Sequence, residues 1–382
     1  MRSGTGLGLI SNFRFMEKER NRITINIGPV HPSTHGVLKF KVDISGDTMK
    51  KIEPEIGFVH RGVEKMAEMK YYSNFMPIAD KLDYIAALNW EVLYASVVEK
   101  ALKVVIPPRA VYLRTMMCEL QRIMSHLLFI GHSGEDLGNT TLFMWGFRER
   151  ELLMDIIEEV SGGRLAPMYI SLGGMYYDLP PGLIPKLAST LDIIEKRVKN
   201  EYRALSYENG LFKMRTVGVG IIEANLAIKY GLTGPNARAS GIKCDLRKNA
   251  PYLAYDKLDF DIITADAGDA YARFVVRVNE ILESIKIVRQ IIKDLPSGEI
   301  KVKVPWIFTI PPSYTFVRQE TPRGEAAMYM VTDGGQKPYR LKIRAPSLYA
   351  VQAMSEIFVG GKVADIVAIL GSLDPTPGEV DR

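Results

Sequence analysis

Histidine chemistry is concentrated at the front of the chain. All five histidines lie in roughly the first third of the 382 residues, namely His31, His35, His60, His126 and His132. His31 and His35 stand in the segment GPVHPSTHG, where Pro32 and the flanking glycines favour a loop over a helix. Such a pair could bind a metal together with further ligands, face another ligand and exchange a proton near neutral pH, or be structural. The two residues alone leave these three alternatives open.

Acidic and phenolic side chains occur in apolar surroundings at two further places. Asp83 and Tyr84 stand in ADKLDY, and Asp136 stands in GEDLG. Carboxylates near helix ends ordinarily cap the helix or satisfy buried hydrogen bonds, and that is the simplest interpretation of both. His60 and Arg61 are compatible with a solvated turn. Residue types and spacing alone therefore predict a globular protein with a histidine-bearing loop.

Composition and motifs exclude several classes of function. Cys118 and Cys244 are too few for a disulfide framework, a structural zinc site or an iron–sulfur cluster held by this chain alone. The sequence contains neither a GxxxxGK[ST] phosphate loop nor a GxSxG hydrolase motif. A net charge of +5, with basic and acidic residues interleaved, argues against nucleic-acid binding.

The elements that must position these residues follow from periodicity. Alternation predicts strands over 22–28 and 37–45 and a third strand that reaches Gly57. Apolar residues at three- and four-residue spacing predict long helices, at 71–103, 108–131, 139–161, 183–208 and 266–294. The segment GEAAMYMVTDGGQKPYRLKIRAPS predicts a hairpin around Gly334 and Gly335. The predicted fold class is α+β, with a helical bundle at its centre.

Four parts of the chain are expected on this basis. They are a flexible extension (1–21), an N-terminal antiparallel β region with the histidine loop (22–63), a helical core (64–296) with an irregular insertion (210–262), and a C-terminal β-hairpin with a buried tail (297–382). No apolar run approaches the roughly 18–20 residues of a bilayer-spanning helix, and no cleaved signal peptide is predicted.

Several segments together resemble one family. They are GPVHPSTHGVLKF, IGFVHRGVEKMAE, DKLDY, DLRK at 245–248, TDGGQKPYRLKIRAPS and GSLDPTPGEVDR. In this order and spacing they resemble the D subunit (49-kDa-type subunit) of proton-pumping NADH–quinone oxidoreductase, respiratory complex I. The resemblance covers residues 22 to 382. It implies a fold like that of the large subunit of nickel–iron hydrogenases.

The resemblance also implies that no metal is bound. Hydrogenases of that superfamily hold nickel with two CxxC pairs. The corresponding positions here are Asp83 and Ala86 at the front and Thr376 and Glu379 at the rear. Nickel requires soft thiolate ligands in such a site, and none of these residues supplies one. Nickel and hydrogenase activity are therefore not expected.

The family's quinone pocket maps onto residues of this chain. His35 and Tyr84 correspond to the two residues that hydrogen-bond the quinone head group, and Asp136 corresponds to the aspartate that pairs with that histidine. Tyrosine and histidine can both donate to a carbonyl oxygen and supply a proton as negative charge develops. The resemblance further implies cofactor contacts for His31 and Asp83.

Electrons are expected from a [4Fe–4S] cluster held by a neighbouring subunit, with Arg61 beside it. Relatives have a histidine where this chain has Ala166 and an arginine where it has Ser171, and Lys81 replaces a usual arginine. Loss of two basic groups should lower the potential of the cluster. This favours a low-potential acceptor, menaquinone or a methanophenazine-like compound, over ubiquinone.

The expected partners are the cluster-bearing B-type subunit, the C-type peripheral subunit, the membrane H-type subunit and other complex I subunits. The expected location is peripheral, on the cytoplasmic side of the cell membrane. The electron donor, whether NADH, reduced deazaflavin or ferredoxin, binds elsewhere in such a complex. Three alternatives remain: a related deazaflavin- or ferredoxin-dependent membrane oxidoreductase, a structural scaffold with an idle pocket, and a free-standing metalloenzyme that uses His31 and His35.

Overall fold

The computed structural model describes residues 22–28, 30–31, 36–206 and 208–382, with residues 30 and 31 described by their backbone alone. The expected extension 1–21 and the candidate site residue His35 lie outside this part of the chain. The side chain of His31 lies outside it too.

Antiparallel strands form the start of the described chain. They are β1 (Ile23–Ile27), β2 (Val30–His31), β3 (Gly36–Val37), β4 (Lys39–Ser45) and β5 (Thr48–Glu55). The three longer strands form one sheet with β4 in the middle, where Val42 is opposite both Ile25 and Ile52. The two short strands pair Val30 with Val37. Antiparallel strands are therefore observed in the predicted N-terminal β region, and β2 and β3 pair on either side of residues 32–35, which lie outside the described chain.

Helices make up most of the remaining chain. In order they are α1 (Val63–Met69), α2 (Tyr72–Ala79), α3 (Ala87–Leu102), α4 (Pro108–Asp136), α5 (Thr140–Ser161), α6 (Leu183–Arg197), α7 (Arg203–Leu205), α8 (Gly210–Thr216), α9 (Ala224–Tyr230), α10 (Gly234–Arg238), α11 (Leu246–Asn249), α12 (Ala270–Asp294), α13 (Pro346–Ile357), α14 (Ile366–Leu373) and α15 (Pro377–Asp381). A two-residue ladder, β6 (Ile170–Ser171) with β7 (Gly174–Met175), follows α5. No helix in the described ranges is long and apolar enough to cross a membrane.

The long helices pack into one large core. Helix α4 contacts α3, α5 and α12, and every residue from Leu113 to Gly131 is buried. Small residues let α4 and α5 approach closely: a Cβ on Gly146 would lie 2.7 Å from the carbonyl oxygen of Leu127. The predicted bundle is confirmed by this packing.

One predicted helix is interrupted where the candidate site residues stand. The segment 71–103 contains α2 and α3, separated by the loop 80–86. Asp83 and Tyr84 belong to this loop, and the residue that precedes α3 is Ala86, whose methyl group cannot cap a helix. Asp83 is therefore not the N-cap of α3. Of the two ordinary roles expected for it, capping a helix and satisfying buried hydrogen bonds, the second is observed.

The C-terminal portion contains a sheet and three helices. The predicted hairpin is present as β9 (Gly324–Thr332) with β10 (Arg340–Arg344). A further strand that the sequence patterns do not predict, β8 (Ser313–Thr321), pairs with the other side of β9. The N-terminal sheet and helices α13, α14 and α15 share a second core, so the two ends of the described chain pack together.

Candidate functional site

Asp83 is a buried anchor of the loop 80–86. Its Oδ1 accepts a hydrogen bond from the backbone N–H of Ile85 (3.2 Å). Its Oδ2 accepts one from Nη1 of Arg323 (2.6 Å), and the Asp83 side chain is fully buried. A charge-assisted bond of this kind fixes the loop to the turn between β8 and β9. Asp83 thus holds its neighbour Tyr84 in place.

Tyr84 is the exposed member of this pair. Its relative exposure is 46%, while Asp83 has none. Partial burial raises the pKa of the Tyr84 phenol; the positive charge of Arg323 opposes this shift, and the negative charges of Asp83 and Asp374 add to it. The phenol therefore stays protonated at neutral pH and can donate a hydrogen bond to a ligand at the surface.

The last residues of the chain close the site from the other side. Oγ1 of Thr376 donates to Oδ1 of Asp83 (3.4 Å). A Cβ on Gly378 would lie 2.8 Å from the carbonyl oxygen of Leu82, so the backbone approaches the loop as closely as a glycine allows. The segments that carry Asp83 and Thr376 are therefore in contact, although they are almost 300 residues apart in the sequence.

Glu379 is a third acidic group of this cluster. Its Oε1 accepts from the backbone N–H of Ser347 (2.8 Å), and within the described part of the chain its Oε2 has no hydrogen-bond partner. Burial, together with the negative charge of Asp83, raises the pKa of Glu379 to about 8. At neutral pH this side chain is an uncharged acid that can give up a proton.

Arg323 and Asp374 complete the cluster, and neither is predicted from the sequence. Nε of Arg323 donates to the carbonyl oxygen of Asp374 (3.0 Å), and its Nη2 lies 3.3 Å from Oδ1 of the same residue. One buried guanidinium therefore serves two carboxylates, Asp83 and Asp374. Arg323 stands in the turn TPRG, which has no recognisable signal of function, and only its partners in space reveal its role.

The histidine hairpin lies against the same C-terminal segment. A Cβ on Gly36, in β3, would lie 3.1 Å from the Pro377 ring. Strand β3 also contacts helix α15. Gly36, which follows the predicted loop, therefore lies against the start of α15, while residues 32–35 and the side chain of His31 lie outside the described part of the chain.

Asp136 lies at a different place, at the last residue of α4. It lines a cavity of about 10 Å3, which is about the space of one water molecule, together with Ser133, Thr216, Ser372 and apolar side chains. Ser372 lies two residues before Asp374, and its carbonyl oxygen accepts from Nη1 of Arg277 (3.0 Å). The end of α14 therefore connects the surroundings of Asp136 with the cluster of Asp83.

Arg61 belongs to an exposed face beside the loop 80–86. Its Nη2 donates to the carbonyl oxygen of Lys81 (2.9 Å). The Lys81 ammonium in turn donates to the carbonyl oxygen of Pro77 (2.9 Å) and pairs with Asp80 (3.0 Å). The preceding turn is held by the C-terminus, because the Asp381 carboxylate accepts from the backbone N–H groups of Gly57 and Val59. The positive charges of Lys81 and Arg61 both act on Asp80.

Metal ligation has no geometric support in the described residues. No group of three or more His, Cys, Asp or Glu side chains among them is placed to hold a metal ion. Cys118 is buried, and burial raises the pKa of its thiol to about 12, so it is not a thiolate.

The fold and this cluster define an α+β protein in which the loop 80–86 meets the C-terminal segment at a buried acidic site with an exposed tyrosine. Residues 136–311 and 302–382 match the family model "Respiratory-chain NADH dehydrogenase, 49 Kd subunit". The chain is 43% identical to the NADH-quinone oxidoreductase D subunit of Dehalococcoides mccartyi over 94% of this chain and 98% of the relative. It is 42% identical to the D subunit of Clostridium beijerinckii (96% and 99%) and 40% identical to a D subunit of Sinorhizobium medicae (94% and 95%). The chain belongs to the 49 kDa, or D, subunit family of respiratory-chain NADH dehydrogenase.

Proposed function

We propose that this chain is the subunit of a complex-I-type, proton-pumping oxidoreductase that binds the head group of a quinone. The observation that carries the proposal is the placement of Tyr84: a protonated, half-exposed phenol held by a buried Asp83–Arg323 pair, where the loop 80–86 meets the C-terminus. Relatives that match over nearly their whole length are D subunits of NADH-quinone oxidoreductase by name, which supports a quinone as substrate.

Reduction of a quinone to a quinol takes two electrons and two protons. Tyr84 would donate a hydrogen bond to one carbonyl oxygen of the quinone and supply a proton as negative charge develops there. His35 would do so at the other oxygen, with Asp136 as its partner. His31 would lie at the same pocket, because the hairpin that carries it contacts the C-terminal segment. Asp83 would act by holding Tyr84 in position.

Electrons would come from a [4Fe–4S] cluster of a B-type partner subunit. The two cysteines of this chain cannot bind such a cluster, since one of them is buried as a neutral thiol. Arg61 and Lys81 would face the cluster, and their positive charge would stabilise its reduced state. Ala166 and Ser171, where relatives have basic residues, would lower the potential and favour menaquinone or a methanophenazine-like acceptor.

The contact between Asp83 and Thr376 supports a place in the hydrogenase large-subunit superfamily, because the front and rear positions of the lost metal ligands are then neighbours. The remaining parts of the proposal are docking on C-type and H-type subunits and a peripheral location on the cytoplasmic side of the membrane. The donor would be NADH, reduced deazaflavin or ferredoxin.

A photoreactive quinone analogue tests the proposal. Irradiation of the assembled complex should attach the analogue to peptides that contain residues 80–86 or 376–382, and excess unlabelled quinone should prevent this. Labelling confined to other subunits, with none on these two segments, would contradict a quinone site at Tyr84.

A further inference from the structure

Glu91 is a buried carboxyl that lacks an ion-pair partner among the described residues. It lies on α3 with no exposure to solvent. One oxygen, Oε2, accepts from the backbone N–H groups of Tyr169 (3.2 Å) and Ile170 (2.9 Å). The other oxygen, Oε1, is buried and has no hydrogen-bond partner in the described chain. A buried polar atom of this kind calls for an explanation, such as a bound water molecule.

A second carboxyl of the same helix shows what a purely structural glutamate looks like. Glu99 is also buried, two turns further along α3. Arg114 binds both of its oxygens, at 2.6 Å and 2.7 Å, and the backbone N–H of Gly173 adds a third bond of 2.8 Å. A cation therefore compensates the charge of Glu99. Glu91 has no equivalent of Arg114 in the described part of the chain.

The charged and titratable groups around Glu91 come from every neighbouring element. They are Asp80 and Lys81 in the loop after α2, Cys118 on α4, Tyr176 after β7, and Tyr169, whose backbone binds Glu91. Burial is the main cause that raises the pKa of Glu91 to about 8, and the negative charge of Asp80 adds to it. The hydrogen bonds from the backbone of Ile170 and Tyr169 and the positive charge of Lys81 lower this pKa, but by less. Lys81 does not neutralise it, because that ammonium pairs with Asp80 (3.0 Å).

A cavity lies beside the backbone segment that binds this carboxyl. A cavity of about 60 Å3, large enough for a few water molecules, is lined by Ser73, Ser171, Tyr176 and Lys301 together with apolar residues. Ser171 directly follows Ile170, which binds Glu91, and its buried hydroxyl has no partner among the described residues. The negative charge of Glu91 acts on Tyr176. The segment Ile170–Ser171 therefore binds Glu91 through its first residue and lines the cavity with its second.

From this geometry we infer that Glu91 is a proton-exchanging residue, supplied by water through the Ser171–Tyr176 cavity, whose protonation follows the charge at the Arg61–Lys81 face. The inference rests on the proposed function, which places the partner's iron–sulfur cluster at that face. When the cluster takes one electron from its donor chain, the added negative charge favours the protonated form, and the Glu91 carboxylate binds one proton from water. Oxidation of the cluster reverses both steps.

This coupling determines the direction in which the potential of the cluster changes with pH. Below about pH 8 Glu91 is protonated whether the cluster is oxidised or reduced, so it adds no pH dependence. Above about pH 8 the oxidised state loses the proton first, because its pKa is the lower of the two. The potential of the cluster must then fall as the pH rises.

Redox titration of the assembled complex, followed by electron paramagnetic resonance, tests this. In the wild type the potential of the cluster should fall above about pH 8, and in Glu91→Gln, which keeps the shape but cannot titrate, it should stay level there. Asp192→Asn is the control: it removes a carboxylate that pairs with Arg289 at the surface, where water screens its charge, so the potentials should equal those of the wild type at every pH. An unchanged pH dependence in Glu91→Gln, with the cluster signal intact, would overturn the inference.

A measurement on the full chain separates this inference from the proposed function. A carboxyl whose pKa is about 8 when folded and near its ordinary 4.5 when unfolded lowers the stability of the wild type as pH rises between these values. Glu91→Gln should therefore gain stability relative to the wild type across that interval and keep a constant advantage above it. A pH-independent difference would also overturn the inference. Absence of any cluster signal in the wild-type complex, with this difference present, would count against the proposed function instead.

Discussion

Two buried charge clusters in this protein differ in how far neighbouring cations and hydrogen-bond donors compensate the charge of their carboxylates. In the helical core, Glu119 accepts from Nη1 of Arg247 (3.0 Å), from Tyr255 (2.6 Å) and from Ser284 (2.7 Å). In the cluster between the loop 80–86 and the C-terminal segment, one guanidinium, that of Arg323, binds both Asp83 and Asp374. Among the described residues, no cation binds Glu379. Its Oε1 accepts from the backbone N–H of Ser347, and in the described chain its Oε2 has no hydrogen-bond partner.

The protonation states follow from this difference. Burial would raise the pKa of Glu119, but the positive charges of Arg247 and Arg122 hold it below its usual value. Burial and the charge of Asp83 raise the pKa of Glu379 to about 8. Compensated carboxylates fix the packing of helices, whereas an under-compensated one keeps a proton that it can exchange. Function is therefore expected where compensation is incomplete.

Breaking the compensated cluster should have the largest effect. Arg247→Gln leaves Glu119 buried without its main cation, which should cost about 3–5 kcal/mol in the free energy of unfolding. Denaturant titration of the full chain measures this. Arg164→Gln is the control, because Arg164 pairs with three acidic residues at the surface, where water screens the charges and the loss should be far smaller. Similar losses in both variants would contradict the distinction.

Removing the titratable proton of Glu379 should have an effect that depends on pH. Because its pKa is about 8 when folded and 4.5 ordinarily, the wild type loses stability as pH rises between these values. Glu379→Gln should therefore be more stable than the wild type above pH 8, by on the order of a few kcal/mol, and nearly equal to it below pH 4.5. Unfolding experiments at both ends of this interval check the sign, and an advantage that is the same at both ends would argue against a raised pKa.

A subtler change tests the double role of Arg323. Arg323→Lys keeps the charge but loses the planar fork, so it cannot bind Asp83 and Asp374 at once. Loss of one charge-assisted hydrogen bond should cost about 1.5–3 kcal/mol of stability. The apparent KM for quinone should rise as well, because the loop that carries Tyr84 loosens. If Arg323→Lys keeps both the stability and the KM of the wild type, the simultaneous contact of Arg323 with Asp83 and Asp374 is not needed, which would contradict its double role.

The smallest structural effect is expected at Asp136. Asp136→Asn preserves shape, so the complex should assemble and reduce quinone. If proton loss by its histidine partner starts the signal for pumping, the number of protons translocated per electron should fall. Proton uptake by membrane vesicles measures this ratio, with Ser133→Ala, which alters the same cavity but not its charge, as the control. An unchanged ratio would remove Asp136 from the coupling mechanism.

Sequence patterns predict the repeating elements of this fold better than its interruptions. The helices α4, α5 and α12 are predictable because their apolar periodicity is local. The break at 80–86 is not, since it depends on Arg323, which is 240 positions from Asp83. Strand β8 escapes prediction for a similar reason: Gln319 and Glu320 make it look like a loop, yet both are buried, where Glu320 pairs with Arg238 (2.7 Å).

The candidate site likewise contains residues that the sequence identifies and residues that only the structure identifies. Tyr84 and Asp83 are identified only through resemblance to a family, because an acid and a phenol near a helix end have an ordinary structural interpretation. Arg323 and Asp374 are not identified at all. Their contribution is a matter of contact between distant segments, and no spacing in the sequence records it. His35 stays a prediction, since it lies outside the described residues.

The proposed role of Tyr84 is tested most directly by quinone reductase activity of the assembled membrane complex, wild type against Tyr84→Phe, with several electron donors and acceptors. Removal of the phenolic hydroxyl should cut turnover by on the order of 10²-fold or raise the apparent KM, while assembly and the cluster signals stay intact. The preferred donor would also distinguish NADH from deazaflavin or ferredoxin. Wild-type behaviour of Tyr84→Phe with every acceptor would contradict the quinone site and leave the chain as a structural scaffold.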